Sequence, residues 1–398
     1  MKFTPFLNMQ VLGSSDAEYN DLHNKFYFLS IVAVPIFYTF IIYPFYKNES
    51  LYQLFAFENT IFNVIVVMTF LLFSKIRVKF HLKNKKILGK DSLYSIILFY
   101  TIICFFYLLM NLTSLGFGFY SGCHYCGPEP FLGWSTLRII FFDLGVVLIM
   151  LSPLVYRYYS KKIFFSSLYV ITVLGIISFF IVGSYRNQIL PIVFTLFSIL
   201  IYNWRYRRVG MLSMLCISPI AAIAYAFNHY FSEQGTSITL YEYFGMNEFF
   251  SNFNNFIIYD NGFRLELPFS GASYLGPILH RLSSFIDTGF ISSASQMARY
   301  MNTGIGYGFS PLLESYLNFG DFFFFGAVII GLTHSLISNL IFSTKNKLLA
   351  CIIFGLAIFY IFNINRVDYT AAFNVFFHKV IFLIPLFIFV DFKRDIYK

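Results

Sequence analysis

The chain has 398 residues, of which 58% are hydrophobic and only 12% charged, and its formal net charge is +9. Apolar runs of about 20 residues recur along it, the length that crosses the hydrocarbon core of a bilayer. This excludes a soluble globular protein and predicts an all-α, polytopic membrane protein with about ten transmembrane helices in one integral membrane domain, residues 1–398. The basic residues lie mainly in short loops between apolar runs, which indicates membrane orientation and no nucleic-acid partner.

The predicted transmembrane helices follow one another with short connectors except at one place. They cover residues 26–46, 52–74, 93–116, 134–155, 164–182, 188–204, 209–230, 321–342, 348–363 and 371–390. The loop KIRVKFHLKNKKILGKD, after the second helix, is the most basic of the chain and is predicted to be cytoplasmic. Both termini are then cytoplasmic as well, and the first apolar run is long enough to be a retained helix.

The basic residues predicted on the outer side are mostly arginine, whereas lysine dominates the cytoplasmic loops. The planar guanidinium group binds phosphate through two parallel hydrogen bonds and stays charged near a low dielectric. This pattern favours a phosphate-bearing substrate at the outer face. The alternative is that these arginines pair with outer carboxylates or reach lipid headgroups. The candidates are Arg186, Arg264, Arg281, Arg299 and Arg366.

The one long interruption, residues 231–320, is predicted to be a large external loop that contains short helices. Within it, GPILHRLSSFIDTG, residues 276–289, predicts a short helix with Pro277 at its first position. His280 and Asp287 lie seven residues apart in this helix, and therefore on one face of it. Both are candidates for acid–base chemistry at the membrane surface.

A glycine-rich stretch, TGIGYGFSPLLESYLNFG, ends the external loop. Ser310 is predicted to cap the next helix, Pro311 to occupy its first position and Glu314 to lie in its first turn. A glycine-rich approach to a helix N-terminus can also cradle an anion. Three roles therefore stay open for Glu314: stabilising the helix start, orienting an arginine, or accepting a proton.

Two carboxylates, Glu58 and Asp143, and the histidine His334 lie inside predicted transmembrane helices. Glu58 and Asp143 are expected to form structural ion pairs, with Arg138 as a candidate partner for one of them. His334 is expected to be a packed histidine. No Asp-x-Asp motif lies on the outer side, so no metal site and no cofactor is expected.

One stretch carries a resemblance to a known family. GYGFSPLLESYLNFG, residues 306–320, followed by an apolar run with Gly326 and Gly331, resembles the bacterial O-antigen and capsule repeat-unit polymerases of the Wzy type. GSYRNQILP, residues 183–191, and LHRLSSF, residues 279–285, are similar to arginine-bearing parts of that family. An Arg-x10-Gly pattern of some members does not fit the arginines of the external loop.

The resemblance implies a GT-C-like glycosyltransferase of the bacterial inner membrane with a periplasmic active site. It would join undecaprenyl-diphosphate-linked oligosaccharide repeat units into a surface polysaccharide such as O-antigen, with a chain-length regulator protein as a candidate partner. The diphosphate would be bound by arginines, first Arg186, Arg281 and Arg366 and then Arg264 and Arg299. The proton acceptor would be His280, Asp287 or Glu314.

Two other functions stay open. An O-antigen ligase of the same fold would transfer finished chains to the lipid A core. A lipid-linked oligosaccharide flippase would be a transporter, with charged residues along a central cavity and no dominant external loop.

Overall fold

The computed structural model describes residues 16–40, 42–46, 49–74, 90–115, 134–182, 186–202, 248–267, 269–282, 290–300, 309–344 and 347–389. Every regular element in these ranges is helical. The helices are α1 (Asp16–Phe40), α2 (Tyr43–Tyr46), α3 (Ser50–Phe73), α4 (Lys90–Leu115), α5 (Trp134–Met150), α6 (Ser152–Tyr159), α7 (Ile163–Val182), α8 (Arg186–Tyr202), α9 (Glu248–Asp260), α10 (Gly276–Leu282), α11 (Ser293–Tyr300), α12 (Pro311–Phe319), α13 (Phe324–Ser343), α14 (Lys347–Ile364) and α15 (Tyr369–Phe389), with a 3-10 turn at Gly320–Phe322.

Several of these helices have the dimensions of membrane spans. Within the described ranges, five helices are long and apolar enough to cross a bilayer, namely α3, α4, α7, α13 and α15. Shorter apolar stretches lie in α1, α8 and α14. The chain is therefore an all-α protein with several apolar helices of membrane-spanning length. The predicted span at residues 209–230 lies outside the described residues.

The long helices bury one face and expose an apolar one. In α3 the buried face includes Tyr52, Phe55, Phe62 and Val66. The opposite face exposes apolar side chains at spacings of mostly three or four residues, namely Leu54, Phe57, Ile61, Val64, Met68, Leu71 and Leu72. Exposure of such a face to water costs about 25 cal/mol of free energy per Å² of apolar surface. The cost is absent where the face is in contact with lipid. This two-sided apolar pattern is what a helix at the lipid-facing rim of a bundle requires.

Two predicted boundaries are wrong. The span predicted at residues 134–155 is two helices, because α5 ends at Met150 and α6 begins at Ser152 with Pro153 in its first turn. Proline has no backbone N–H and disfavours helical geometry in the preceding residue, so it starts a new helix instead of extending α5. The first helix, predicted from residue 26, already begins at Asp16 and stops at Phe40, before α2.

Neighbouring helices define a common end of the bundle. α3 and α13 run parallel: the Ser335 hydroxyl donates to the Phe70 carbonyl at 3.3 Å, and Gly331 lies one turn earlier against Val66 and Thr69. α8 and α14 run antiparallel, with Cys351 beside Ser198 and the rings of Phe194 and Phe362 stacked at 5.4 Å. The start of α8, the end of α14 and the starts of α13 and α15 therefore lie at one end, which we call the Glu314 end.

Candidate functional site

The site is built around the first turn of α12, where the predicted capping is confirmed. Ser310 lies before the helix with extended backbone angles, and its hydroxyl oxygen accepts a hydrogen bond from the Leu313 N–H at 3.1 Å. Pro311 occupies the first turn, as its fixed φ and missing N–H favour. This turn places Glu314 in the interior, where its side chain is 1% exposed.

The Glu314 carboxyl group joins three separate parts of the chain. Its Oε1 accepts a short hydrogen bond from the Ser273 hydroxyl, and its Oε2 accepts the backbone N–H of Tyr369 at 2.7 Å. Burial, and next the charge of Asp368, raise the pKa of the Glu314 carboxyl to about 8. Glu314 is therefore mainly protonated at neutral pH. Its role extends beyond stabilising its own helix, since it fastens the turn at residues 269–275 to the start of α15.

Asp368 is the second carboxyl of the site, and sequence reasoning did not single it out. Its Oδ1 accepts the Ala371 N–H at 2.7 Å in the first turn of α15, and its Oδ2 accepts the Ala294 N–H at 3.1 Å in the first turn of α11. Both helix N-termini favour a negative group there. Burial nevertheless raises the pKa of Asp368. An aspartate just before an apolar run is a recognisable cap signal, but its second helix could not be read from the sequence.

The remaining polar side chains of α12 bind the turn before α10. Asn318 accepts the Ser273 N–H at 3.2 Å through Oδ1 and donates to the Glu314 carbonyl at 2.7 Å. The hydroxyls of Ser315 and Tyr274 form a short hydrogen bond. A Cβ on Gly326, at the start of α13, would overlap both of these hydroxyls. The polar residues of this stretch thus act together as a fastening between α12, the turn at 269–275 and α15.

Arg366 lies directly beside this fastening, in the turn between α14 and α15. Its carbonyl accepts the Phe309 N–H at 3.0 Å, next to the cap residue of α12, and its side chain is partly buried. The adjoining Asn365 carbonyl accepts a hydrogen bond from the Asn252 amide at 2.7 Å, which ties in α9. Arg186 begins α8 and so lies at the same end of the bundle. The side chain of Arg186 is outside the described part.

The other predicted residues are distributed as follows. Arg264 is exposed beyond the end of α9, and Arg299 is exposed in the last turn of α11. His280 and Arg281 belong to α10, which packs against α15, but their side chains lie outside the described part. Asp287 lies outside the described residues altogether. Glu314 and Arg366 are therefore the predicted residues that the structure brings into one arrangement.

A separate charged cluster lies within the bundle. Lys379 of α15 is fully buried and donates to Asp143 Oδ1 at 2.8 Å, while His378 Nδ1 lies 3.2 Å from Asp143 Oδ2. Lys379 also donates to the Val375 carbonyl at 3.2 Å. An ion pair was expected for Asp143, and the pairing with Lys379 supplies one.

The other two polar residues predicted inside helices also have partners. Glu58 of α3 lies near Tyr316 of α12, and none of the salt bridges found among the described residues involves Glu58. His334 is buried and lies 3.0 Å from the Tyr27 hydroxyl through Nδ1, which confirms the expectation of a packed histidine.

The described fold and site together define a class: a helical protein with several apolar helices of membrane-spanning length and a buried pair of carboxyl groups where α12 meets one end of the bundle. Comparison with family models, curated proteins and solved structures gives no match for the chain.

Proposed function

We propose that the protein is a metal-independent, GT-C-like glycosyltransferase that polymerises undecaprenyl-diphosphate-linked oligosaccharide repeat units at the periplasmic face of the bacterial inner membrane. One observation carries the proposal. The stretch with the family resemblance contains Glu314, and Glu314 fastens the external segment to the helix start that follows Arg366. A lipid-diphosphate substrate requires cationic groups at the membrane surface, and Arg366 adjoins this fastening in sequence and through its carbonyl.

The reaction needs little covalent chemistry from the protein. An acceptor hydroxyl oxygen forms a bond to the donor's anomeric carbon, the bond from that carbon to the diphosphate oxygen breaks, and its electron pair leaves with undecaprenyl diphosphate. Arginines that neutralise the diphosphate stabilise this departure. We assign that role to Arg366 and Arg186, which both lie at the Glu314 end. Arg281 is the third candidate, on α10, which packs against α15.

The acceptor proton needs a base with an accessible lone pair. Both oxygens of Glu314 are bonded to the protein, and the pKa of about 8 keeps its carboxyl mainly protonated at neutral pH. We therefore assign Glu314, together with Asp368, to positioning the turn that carries Arg366. His280 and Asp287 are then the candidates for proton acceptance.

The cluster of Asp143, Lys379 and His378 favours one alternative. Charged groups buried within a membrane bundle often mark a transport pathway, so a flippase for lipid-linked oligosaccharides is the second candidate. Polymerase, ligase and flippase leave different products when the protein is missing, which makes the three functions separable.

The test is deletion of the gene in its native host, followed by gel analysis of the surface glycan. Loss of a polymerase leaves single repeat units attached at the surface. Loss of a ligase leaves polymerised, unattached chains, and loss of a flippase leaves repeat units on the cytoplasmic side. An unchanged ladder of long chains in the deletion strain would refute all three.

Complementation then tests the arginine. Arg366→Ala should abolish long chains and Arg366→Lys should shorten them, since lysine keeps the charge without the bidentate fork. Lys161→Ala serves as the control, because Lys161 is an exposed cation beside the start of α7, at the opposite end of the bundle. Full-length ladders from Arg366→Ala at normal membrane abundance would remove Arg366 from the mechanism.

A further inference from the structure

A partly exposed group of aromatic rings lies next to the Glu314 fastening, and we call it the tyrosine platform. It consists of Tyr259 at the end of α9, Tyr316 of α12 and Phe323 before α13. The rings of Tyr316 and Phe323 stack with centroids 4.8 Å apart, and those of Tyr259 and Tyr316 lie 5.8 Å apart at 32°. All three side chains are only partly buried, so each keeps ring surface available to a ligand.

Arg264 is held rigidly at one edge of this platform. Its guanidinium carbon lies 4.6 Å from the centroid of the Tyr259 ring, and Nη1 donates to the carbonyls of Tyr259 at 2.9 Å and Phe263 at 2.7 Å. Those two bonds use both N–H groups of Nη1, which leaves the N–H groups of Nε and Nη2 for a ligand. None of the salt bridges found among the described residues involves Arg264.

The charges around the platform argue against a diphosphate ligand. Glu58 and Asp321 interact electrostatically with Tyr316, and the exposed Asp260 directly follows Tyr259. The rings of the platform thus have three carboxylates near them against the one guanidinium of Arg264, a balance that repels a polyanion. It suits a ligand with many hydroxyl groups, which can donate to carboxylates and accept from Arg264 while its C–H face covers an aromatic ring.

We propose that the tyrosine platform, with Arg264 and Glu58, is a glycan subsite that holds a sugar residue of the repeat unit. The inference rests on the proposed function for the source of the sugar, and it moves Arg264 from the diphosphate to the oligosaccharide. Tyr316 belongs to the same short helix as Glu314, two residues further on, so a sugar held there lies beside the fastening.

Binding to the full-length protein in lipid nanodiscs tests the subsite directly. One probe is the phosphate-free oligosaccharide repeat unit released from the host's own surface glycan, and the other is inorganic pyrophosphate. Arg264→Ala and Tyr316→Ala should each weaken oligosaccharide binding about tenfold, which corresponds to one hydrogen bond to a charged group or one aromatic contact. Pyrophosphate binding should be unchanged in both variants and reduced in Arg366→Ala.

Phe322→Ala is the matched control, because Phe322 is an aromatic residue of the same region that is 61% exposed and lies outside the platform. Tyr316→Phe keeps the ring and loses only the hydroxyl near Glu58, and it should bind between wild type and Tyr316→Ala even where the alanine variant misfolds. Equal oligosaccharide affinity in wild type, Arg264→Ala and Tyr316→Phe would overturn the subsite, and so would no binding by the wild type.

The two proposals fail separately. Oligosaccharide binding that depends on Arg264, combined with an unchanged glycan ladder in the deletion strain, would reject the polymerase and keep the subsite. Loss of the ladder on deletion, combined with binding that ignores Arg264 and Tyr316, would reject the subsite and keep the polymerase.

Discussion

The buried carboxyl groups of Glu314 and Asp368 lie close together and are hydrogen-bonded by uncharged donors. Their hydrogen-bond donors are the Ser273 hydroxyl and the backbone N–H groups of Tyr369, Ala371 and Ala294. Two nearby carboxyls in a buried site disfavour double ionisation, so one of them retains its proton at neutral pH. The fastening between α12, the turn at residues 269–275 and α15 is consequently sensitive to pH.

Stability should fall as pH rises through the range in which Glu314 keeps its proton only when folded. The ordinary carboxyl value of 4.5 applies to the unfolded chain and about 8 to the folded one. Below 4.5 both states are protonated and no penalty exists. Between the two values the unfolded state binds fewer protons, so stability declines by up to about 1.4 kcal/mol per pH unit, and above 8 the penalty is complete.

The substitution Glu314→Gln tests this dependence. An amide resembles the protonated acid and cannot ionise, so the variant should be close to wild type in stability near pH 6 and more stable at pH 8.5. Thermal unfolding of the purified protein from pH 5 to pH 9 measures it, with exposed Glu266→Gln as the control. A wild-type profile that is flat over this range, or parallel to that of Glu314→Gln, would contradict the assignment.

At the scale of elements, α5 and α15 are joined by the charge pair of Asp143 and Lys379, with His378 beside it. Lys379 lies ten residues into α15, and therefore near the middle of its length. A buried ion pair contributes little compared with well-packed apolar side chains, but removal of one partner leaves an unpaired charge inside the bundle. The pair thus acts mainly by penalising any arrangement of α5 and α15 that separates Asp143 from Lys379.

A double-mutant cycle gives the expected pattern. Lys379→Met alone should destabilise the protein by about 3–5 kcal/mol, because Asp143 loses its charged partner. Asp143→Leu combined with Lys379→Met should recover most of that loss. Denaturant unfolding in detergent measures the three variants, with the exposed Lys161→Met as the control. If the losses in free energy of unfolding of Asp143→Leu and Lys379→Met simply add in the double variant, the two residues are not coupled. That result would contradict the 2.8 Å contact.

At the scale of the whole molecule, the parts that could be predicted are those encoded locally. Span length and apolar content depend on one stretch of chain, and the predicted helix at residues 164–182 differs from α7 (Ile163–Val182) by one residue. The Ser310 cap and the position of Glu314 are equally local. The break between α5 and α6 carried a local signal in Pro153, which the apolar run on both sides concealed.

The partners within the site could not be predicted, because they are far apart in sequence. Ser273 lies 41 residues from Glu314, Tyr369 lies 55 residues from it, and Ala294 lies 74 residues from Asp368. The local sequence around Ser273, Glu314 or Tyr369 does not specify that it will contact the other two stretches. The same holds for Lys379, which meets Asp143, 236 residues away, inside the bundle.

The orientation of the bundle is the remaining prediction at this scale, and cysteine labelling checks it. The positive-inside rule places the basic loops in the cytoplasm and the Glu314 end in the periplasm.

In a background without the five native cysteines, Asp321→Cys at the Glu314 end should react with a membrane-impermeant maleimide in cells with a permeabilised outer membrane. Lys161→Cys, exposed at the opposite end, should react only after cell lysis. Val64→Cys on the exposed apolar face of α3 should react with neither treatment. It should take up a lipid-soluble maleimide, since that face is expected to meet acyl chains. The reverse labelling of Asp321→Cys and Lys161→Cys would place the fastening, Arg366 and the tyrosine platform in the cytoplasm, where a periplasmic polymerase could not use them.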